Sequence, residues 1–138
     1  MAEALILDSE ALNALARATS RPVLAARARA ILHVAHERRA LVRVPAPVLA
    51  ELYRGKPADA ALDRILNGNG IGVVELSDSI AKAAGTLLAR SRLDSTHAVD
   101  AFVVATAATF SSALIATGDP KDIAKISSGI RGLRVFGI

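Results

Sequence analysis

The sequence predicts an α/β protein built on a mainly parallel sheet of four to five short strands, with helices on both faces. Short apolar runs at residues 4–7, 40–44, 72–76, 113–116 and 133–136 alternate with longer stretches of helical spacing. The runs are apolar on both faces, as strands buried in a parallel sheet are. Helical segments separate them, as crossover connections between parallel strands require. No linker, composition break or internal repeat interrupts the 138 residues, so one domain spanning residues 1–138 is expected.

Each element has a local reason. ALIL at residues 4–7 is a buried strand, and a helix is expected over 9–18. Pro22 opens a longer helix in which Leu24, Ala28, Ile31 and Ala35 recur at helical spacing. The second strand ends at Pro45. A helix over 46–54 has Pro47 near its start and Gly55 past its end. The helix over 59–66 is stopped by NGNGIG, and a third strand follows at 72–76. Ser77, with Ser79 as the alternative, caps a helix running to about residue 92, and Thr96 is expected to cap one over 97–110. The fourth strand, 113–116, leads into a helix started by Asp119 and Pro120, and the last strand covers 133–136.

Composition narrows the function classes. The chain is 52% apolar and 22% charged, which is globular rather than disordered. No apolar run reaches membrane-spanning length and the N-terminus lacks the basic start of a signal peptide, so no membrane association is expected. The absence of cysteine excludes disulfides and thiolate metal sites and fits a cytoplasmic location. With three Phe, one Tyr and no Trp, an aromatic base-stacking platform is not expected. The net charge of +4 permits attraction to phosphate. Eight arginines fall in the first 54 residues, among them Arg17, Arg21, Arg38 and Arg43. They are read either as a solvated helix face or as a nucleic-acid contact.

Four acids stand out by position. In an open parallel sheet, ligands bind at the carboxyl ends of the strands. Asp8 directly follows ALIL and Asp119 follows ALIATG, so both project from one sheet edge if their strands are parallel neighbours. Either can also be a plain helix cap. Asp100 lies in THAVDAFVVATAATF, a helix apolar almost all round, where an ionised carboxylate needs a partner. Glu51 shares a helical face with Val48, Leu52 and Gly55 and is expected to point inward, unless it pairs with Arg54. Two carboxylates about 4 Å apart repel by roughly 4 kcal/mol at an effective dielectric of 20. Four at one edge therefore call for hard, oxygen-loving cations such as Mg²⁺. No HExxH zinc motif is present.

LILDSEAL, PAPVLAELYRG, HAVDAFVVATAA and IATGDPKDI occur in an order and at a spacing that cover nearly the whole chain. In these stretches the sequence resembles the PIN-domain ribonucleases, and more narrowly the VapC-type toxins of toxin–antitoxin pairs. The resemblance implies a three-layer α/β/α sandwich and an Mg²⁺- or Mn²⁺-dependent endoribonuclease that hydrolyses RNA phosphodiester bonds with a metal-activated water. It also implies a homodimer and a cognate VapB-type antitoxin as partner. By matching motif, Asp8, Glu51, Asp100 and Asp119 would be the catalytic and metal-binding acids. Asp122 would assist, and the hydroxyls of Ser9 or Thr117 would orient ligands or water. The sequence departs from the family at two places. Ser9 replaces the Thr often found after the first aspartate, and Val99 stands where a His often precedes the third. His97, three residues from Asp100, is read as structural or exposed rather than catalytic.

Rival readings are a PIN-fold processing or repair nuclease without an antitoxin, a non-catalytic RNA-binding module, and a phosphoacceptor receiver domain. The last fits poorly, because VRV carries no aspartate at its end.

Overall fold

The computed structural model describes residues 3–138. Its elements, in chain order, are β1 (Glu3–Leu7), α1 (Ser9–Ala16), α2 (Pro22–Glu37), β2 (Leu41–Pro45), α3 (Ala46–Leu52), α4 (Ala60–Gly68), β3 (Ile71–Val74), α5 (Asp78–Ser91), α6 (Ala98–Ala107), β4 (Ser112–Thr117), α7 (Pro120–Ser127) and β5 (Leu133–Gly137). All strand pairings are parallel, in the order β3-β2-β1-β4-β5. Helices α1 and α2 pack on β1 from one side, with α4 against α1, while α6 packs on β1, β2 and β4 and carries α5 and α7 beside it. The expected sandwich of helix layers around a five-stranded parallel sheet is the observed one.

The core sits where the sequence is most apolar. Ile6 and Leu7 of β1, Ile115 of β4, and Val103 and Val104 of α6 are fully buried. Burying each such side chain contributes about 1.5–3 kcal/mol. Alanines at 25, 28, 101, 105, 107, 113 and 116 are also buried. Small side chains there let helices lie close on the strands. Among the described residues no helix is long and apolar enough to cross a membrane.

Most caps follow the sequence. Ser77 accepts from the Ile80 N–H at 3.2 Å, and Asp119 accepts from the Asp122 N–H at 3.4 Å. Thr96 is not a cap. Asp94 takes that role, accepting from the Thr96 N–H at 3.0 Å over a turn of 3-10 helix, Ser95–His97, that precedes α6. The Thr96 hydroxyl is itself engaged, donating to Asp94 at 2.5 Å. Asp59 does not cap α4 through its side chain. Its buried carboxylate accepts from the Arg54 and Gly55 N–H groups, each at 2.8 Å, and so closes the turn after α3. Gly132 is needed before β5: its φ is +80°, and a Cβ there would lie 2.6 Å from the Ser111 carbonyl oxygen.

Candidate functional site

The topology places the carboxyl ends of β1 and β4 side by side, with Leu7 opposite Ala116. Asp8 is therefore next to the turn after β4, 110 residues away in sequence. It is both the N-cap of α1, accepting from the Ala11 N–H at 2.9 Å, and an acceptor for the Gly118 N–H at 3.2 Å and the Thr117 hydroxyl. Burial pushes its carboxyl above the ordinary range. The three donors pull against that, and the charge of Glu10 adds to it.

Thr117, fully buried, ties the two strand ends together. Its hydroxyl bonds Asp8, and its Oγ1 accepts from the Asp119 N–H at 2.8 Å. A hydroxyl can donate and accept at once, which is what this position uses. Asp119 caps α7 and faces the same opening as Asp8. Both aspartates cap a helix and also line the cleft, so the two placements are compatible.

Asp8, Ser9, Glu51, Asp100 and Asp119 line one open cleft of about 490 Å³, with Glu10, Val99, Val103 and Gly118. Glu51 is exposed rather than turned into the core, and it does not pair with Arg54, whose Nη1 donates to the Ala50 and Tyr53 carbonyls instead. The Ser9 hydroxyl donates to Glu51 and bridges α1 to α3. Asp100, on the first turn of α6, is pushed up to about 6. Burial is the largest cause, followed by the charges of Asp119, Asp8, Asp122 and Glu51. That all four other acids act on Asp100 is the electrostatic signature of their convergence.

The structure also brings His97 and Glu10 up to the acids. His97 Nδ1 stands 3.6 Å from Asp122 Oδ2 and 4.0 Å from Asp100 Oδ2. One ligand atom from each of His97, Asp100 and Asp122 lies within 4.8 Å of the others. The three-residue spacing from His97 to Asp100 was the available signal, since such pairs share a helical face. Glu10 lines the cleft and pairs with Arg21 at 3.1 Å. A Cβ on Gly118 would collide with Glu10 Cβ and Cγ, so the missing side chain after β4 is what lets this backbone approach Glu10. The arginine run does not converge on this cleft. Arg38 pairs with Glu3 at the opposite end of β1, Arg17 bonds Asn13, and Arg43 bonds the Val42 carbonyl.

The donor set fits a divalent metal ion. It is carboxylate-rich, with hard oxygen donors, as Mg²⁺ and Mn²⁺ prefer. Burial first, and then the neighbouring acids, disfavour the Asp100 anion, and a bound cation would offset both.

The family model of the PIN domain matches residues 5–128. No curated protein matches the chain. Among solved structures, the chain is similar to the crystal structure of VapBC2 from Rickettsia felis bound to a DNA fragment from their promoter. The TM-score is 0.64 at 14% identity, over 98% of each chain.

Proposed function

The chain belongs to the PIN domain family, and from that premise we propose that it is a metal-dependent endoribonuclease acting as the toxin of a toxin–antitoxin pair in the cytoplasm. The observation that carries the reading is the convergence of Asp8, Glu51, Asp100 and Asp119 on one cleft, with Asp122 close to Asp100. Asp8, Glu51, Asp100 and Asp119 would hold the ion, with Asp122 assisting and His97 beside it. Bound there, Mg²⁺ or Mn²⁺ would supply charge for the non-bridging phosphate oxygens and lower the pKa of an attacking water.

The chain's own residues prepare that site. Thr117 and the Ala11 and Gly118 N–H groups hold Asp8 in one orientation. Ser9 fixes Glu51. Val99 and Val103 line the wall beside Asp100. Such fixed groups let the site meet a phosphodiester without reorganising. In the overall reaction the oxygen of water bonds to phosphorus, one P–O bond to ribose breaks, and the leaving ribose oxygen takes up a proton to become a hydroxyl.

The toxin assignment rests on the four ordered motifs and on the fold shared with VapBC2, whose name pairs such a chain with a VapB partner. A VapB-type antitoxin and a homodimer are proposed on the same ground. In the test, purified protein is incubated with RNA in Mg²⁺, in Mn²⁺ and in EDTA, alongside Asp8→Asn. Cleavage is expected only with metal and only in the unsubstituted chain; undiminished cleavage in EDTA refutes the mechanism. Growth arrest on expression, relieved by co-expressing a neighbouring small open reading frame, tests the toxin reading separately. Cleavage without growth arrest favours the processing nuclease.

A further inference from the structure

A second cleft, of about 830 Å³, lies between α5 and α7, and its rim is basic. Arg90, Arg92, Lys121 and Lys125 line it, and no acidic residue does. All four are exposed, and among the described residues none lies within salt-bridge distance of a carboxylate. Arg21, Arg38, Lys82 and Arg134, which do pair with carboxylates, lie outside this cleft. Arg92, Lys121 and Lys125 face one opening with no carboxylate against them, beside an Arg90 held by backbone carbonyls, and an anion bound there would relieve their mutual repulsion.

Helix α7 connects the two clefts. Asp119 caps it and faces the acidic opening, and Asp122 leans on His97. Lys121 and Lys125, one turn apart and separated by about 6 Å along the axis, hold the adjoining face. The Arg90 guanidinium ties the far end, donating to the Ile126 and Ser128 carbonyls at 3.3 and 3.0 Å. One helix thus carries an acid of the first cleft at its start and two cations of the second along its length.

We infer that this α5–α7 cleft is the track for the phosphate backbone of single-stranded RNA flanking the scissile bond. The inference rests on the nuclease reading for the identity of the polyanion. RNA suits the cleft better than an acidic protein segment does. Ala124, Ser128 and Gly129 form much of its lining and no large apolar side chain is there to anchor a peptide. No aromatic side chain is there to stack a base either, so the contact is with phosphates and has no sequence preference.

The test measures binding of a fluorescent 20-nucleotide single-stranded RNA by anisotropy, in EDTA, across a salt series. The proteins are the unsubstituted chain, the triple variant Arg92→Gln, Lys121→Gln, Lys125→Gln, and a control carrying Arg27→Gln and Arg29→Gln on α2. Each phosphate neutralised adds about 0.7 to the salt slope, so the triple variant should lose about 2 from the slope and bind at least about tenfold more weakly at low salt. The control should keep its slope, and circular dichroism should show every protein in the series folded. A charge-conserving triple variant, Arg92→Lys, Lys121→Arg, Lys125→Arg, should keep the slope of the unsubstituted chain, since only the charge is required. An unchanged slope in the glutamine variant, or an equal loss in the α2 control, overturns the track. So does loss of binding to an acidic peptide with RNA binding intact. Cleavage by the unsubstituted chain in Mg²⁺ is scored separately. Its absence, with the slope change present, would sink the nuclease reading and leave the track standing.

Discussion

Replacing Asp100 with asparagine should stabilise the metal-free protein at neutral pH. In the fold its carboxyl is pushed from 3.8 to about 6 by burial and by four neighbouring acids. Between those values the folded state binds a proton that the unfolded state has released. Stability therefore falls as pH rises from about 4 to about 6, and the full penalty remains above that. A shift of this size corresponds to at most about 3 kcal/mol. The Asp100 side chain is 28% exposed, and solvent screening reduces the figure to about 1–2 kcal/mol. Asparagine has the same shape and no charge, so Asp100→Asn should raise Tm by about 3–8 °C at pH 7.5 in EDTA. The gain should shrink steadily as the pH is lowered from 6.5 to 4. Thermal unfolding followed by circular dichroism reads both effects. Mg²⁺ or Mn²⁺ should then raise the Tm of the unsubstituted chain more than that of the variant. A variant that is less stable, or unchanged, at pH 7.5 in EDTA would refute the claim that carboxylates crowd this position.

Other substitutions test the supports of the site and the fold. Ser9→Ala frees Glu51, and Mn²⁺ affinity by calorimetry should drop about 10-fold or more while Tm in EDTA hardly moves; equal affinity would make Ser9 a bystander. Asp59→Ala leaves the Arg54 and Gly55 N–H groups without their acceptor and should cost about 1–3 kcal/mol in urea unfolding. Gly132→Ala meets both a positive φ and the Ser111 carbonyl, and should cost about 2 kcal/mol or more; a neutral result would mean that the turn before β5 relaxes freely.

Much of this protein was legible because it is local. The strand at ALIL, the Pro22 start, the Ser77 cap and the Asp119–Pro120 turn each depend on residues within one helical turn or one strand. Asp8 and Asp119 could be placed at a sheet edge for the same reason, since each closely follows a strand. The cap before α6 was misplaced because Thr96 and Asp94 are both credible caps, and only the turn Ser95–His97 selects between them. Glu51 was read as inward because helical spacing shows which residues share a face but not what that face meets; here it meets Ser9, 42 residues earlier. The arginine run looks like one feature in sequence, yet folding pairs Arg21 with Glu10 and Arg38 with Glu3 at the far end of β1.

By itself, the sequence determined the class of fold, the order of its elements and which carboxylates stand at strand ends or helix starts, because backbone propensity and apolar spacing act over a few residues. Only the tertiary structure decided that β1 lies against β4, that Thr117 joins Asp8 to Asp119, that His97 faces Asp122, and that Arg92 and Lys121 share an opening. Those juxtapositions come from sheet order and helix packing, which bring together side chains that no short-range rule relates.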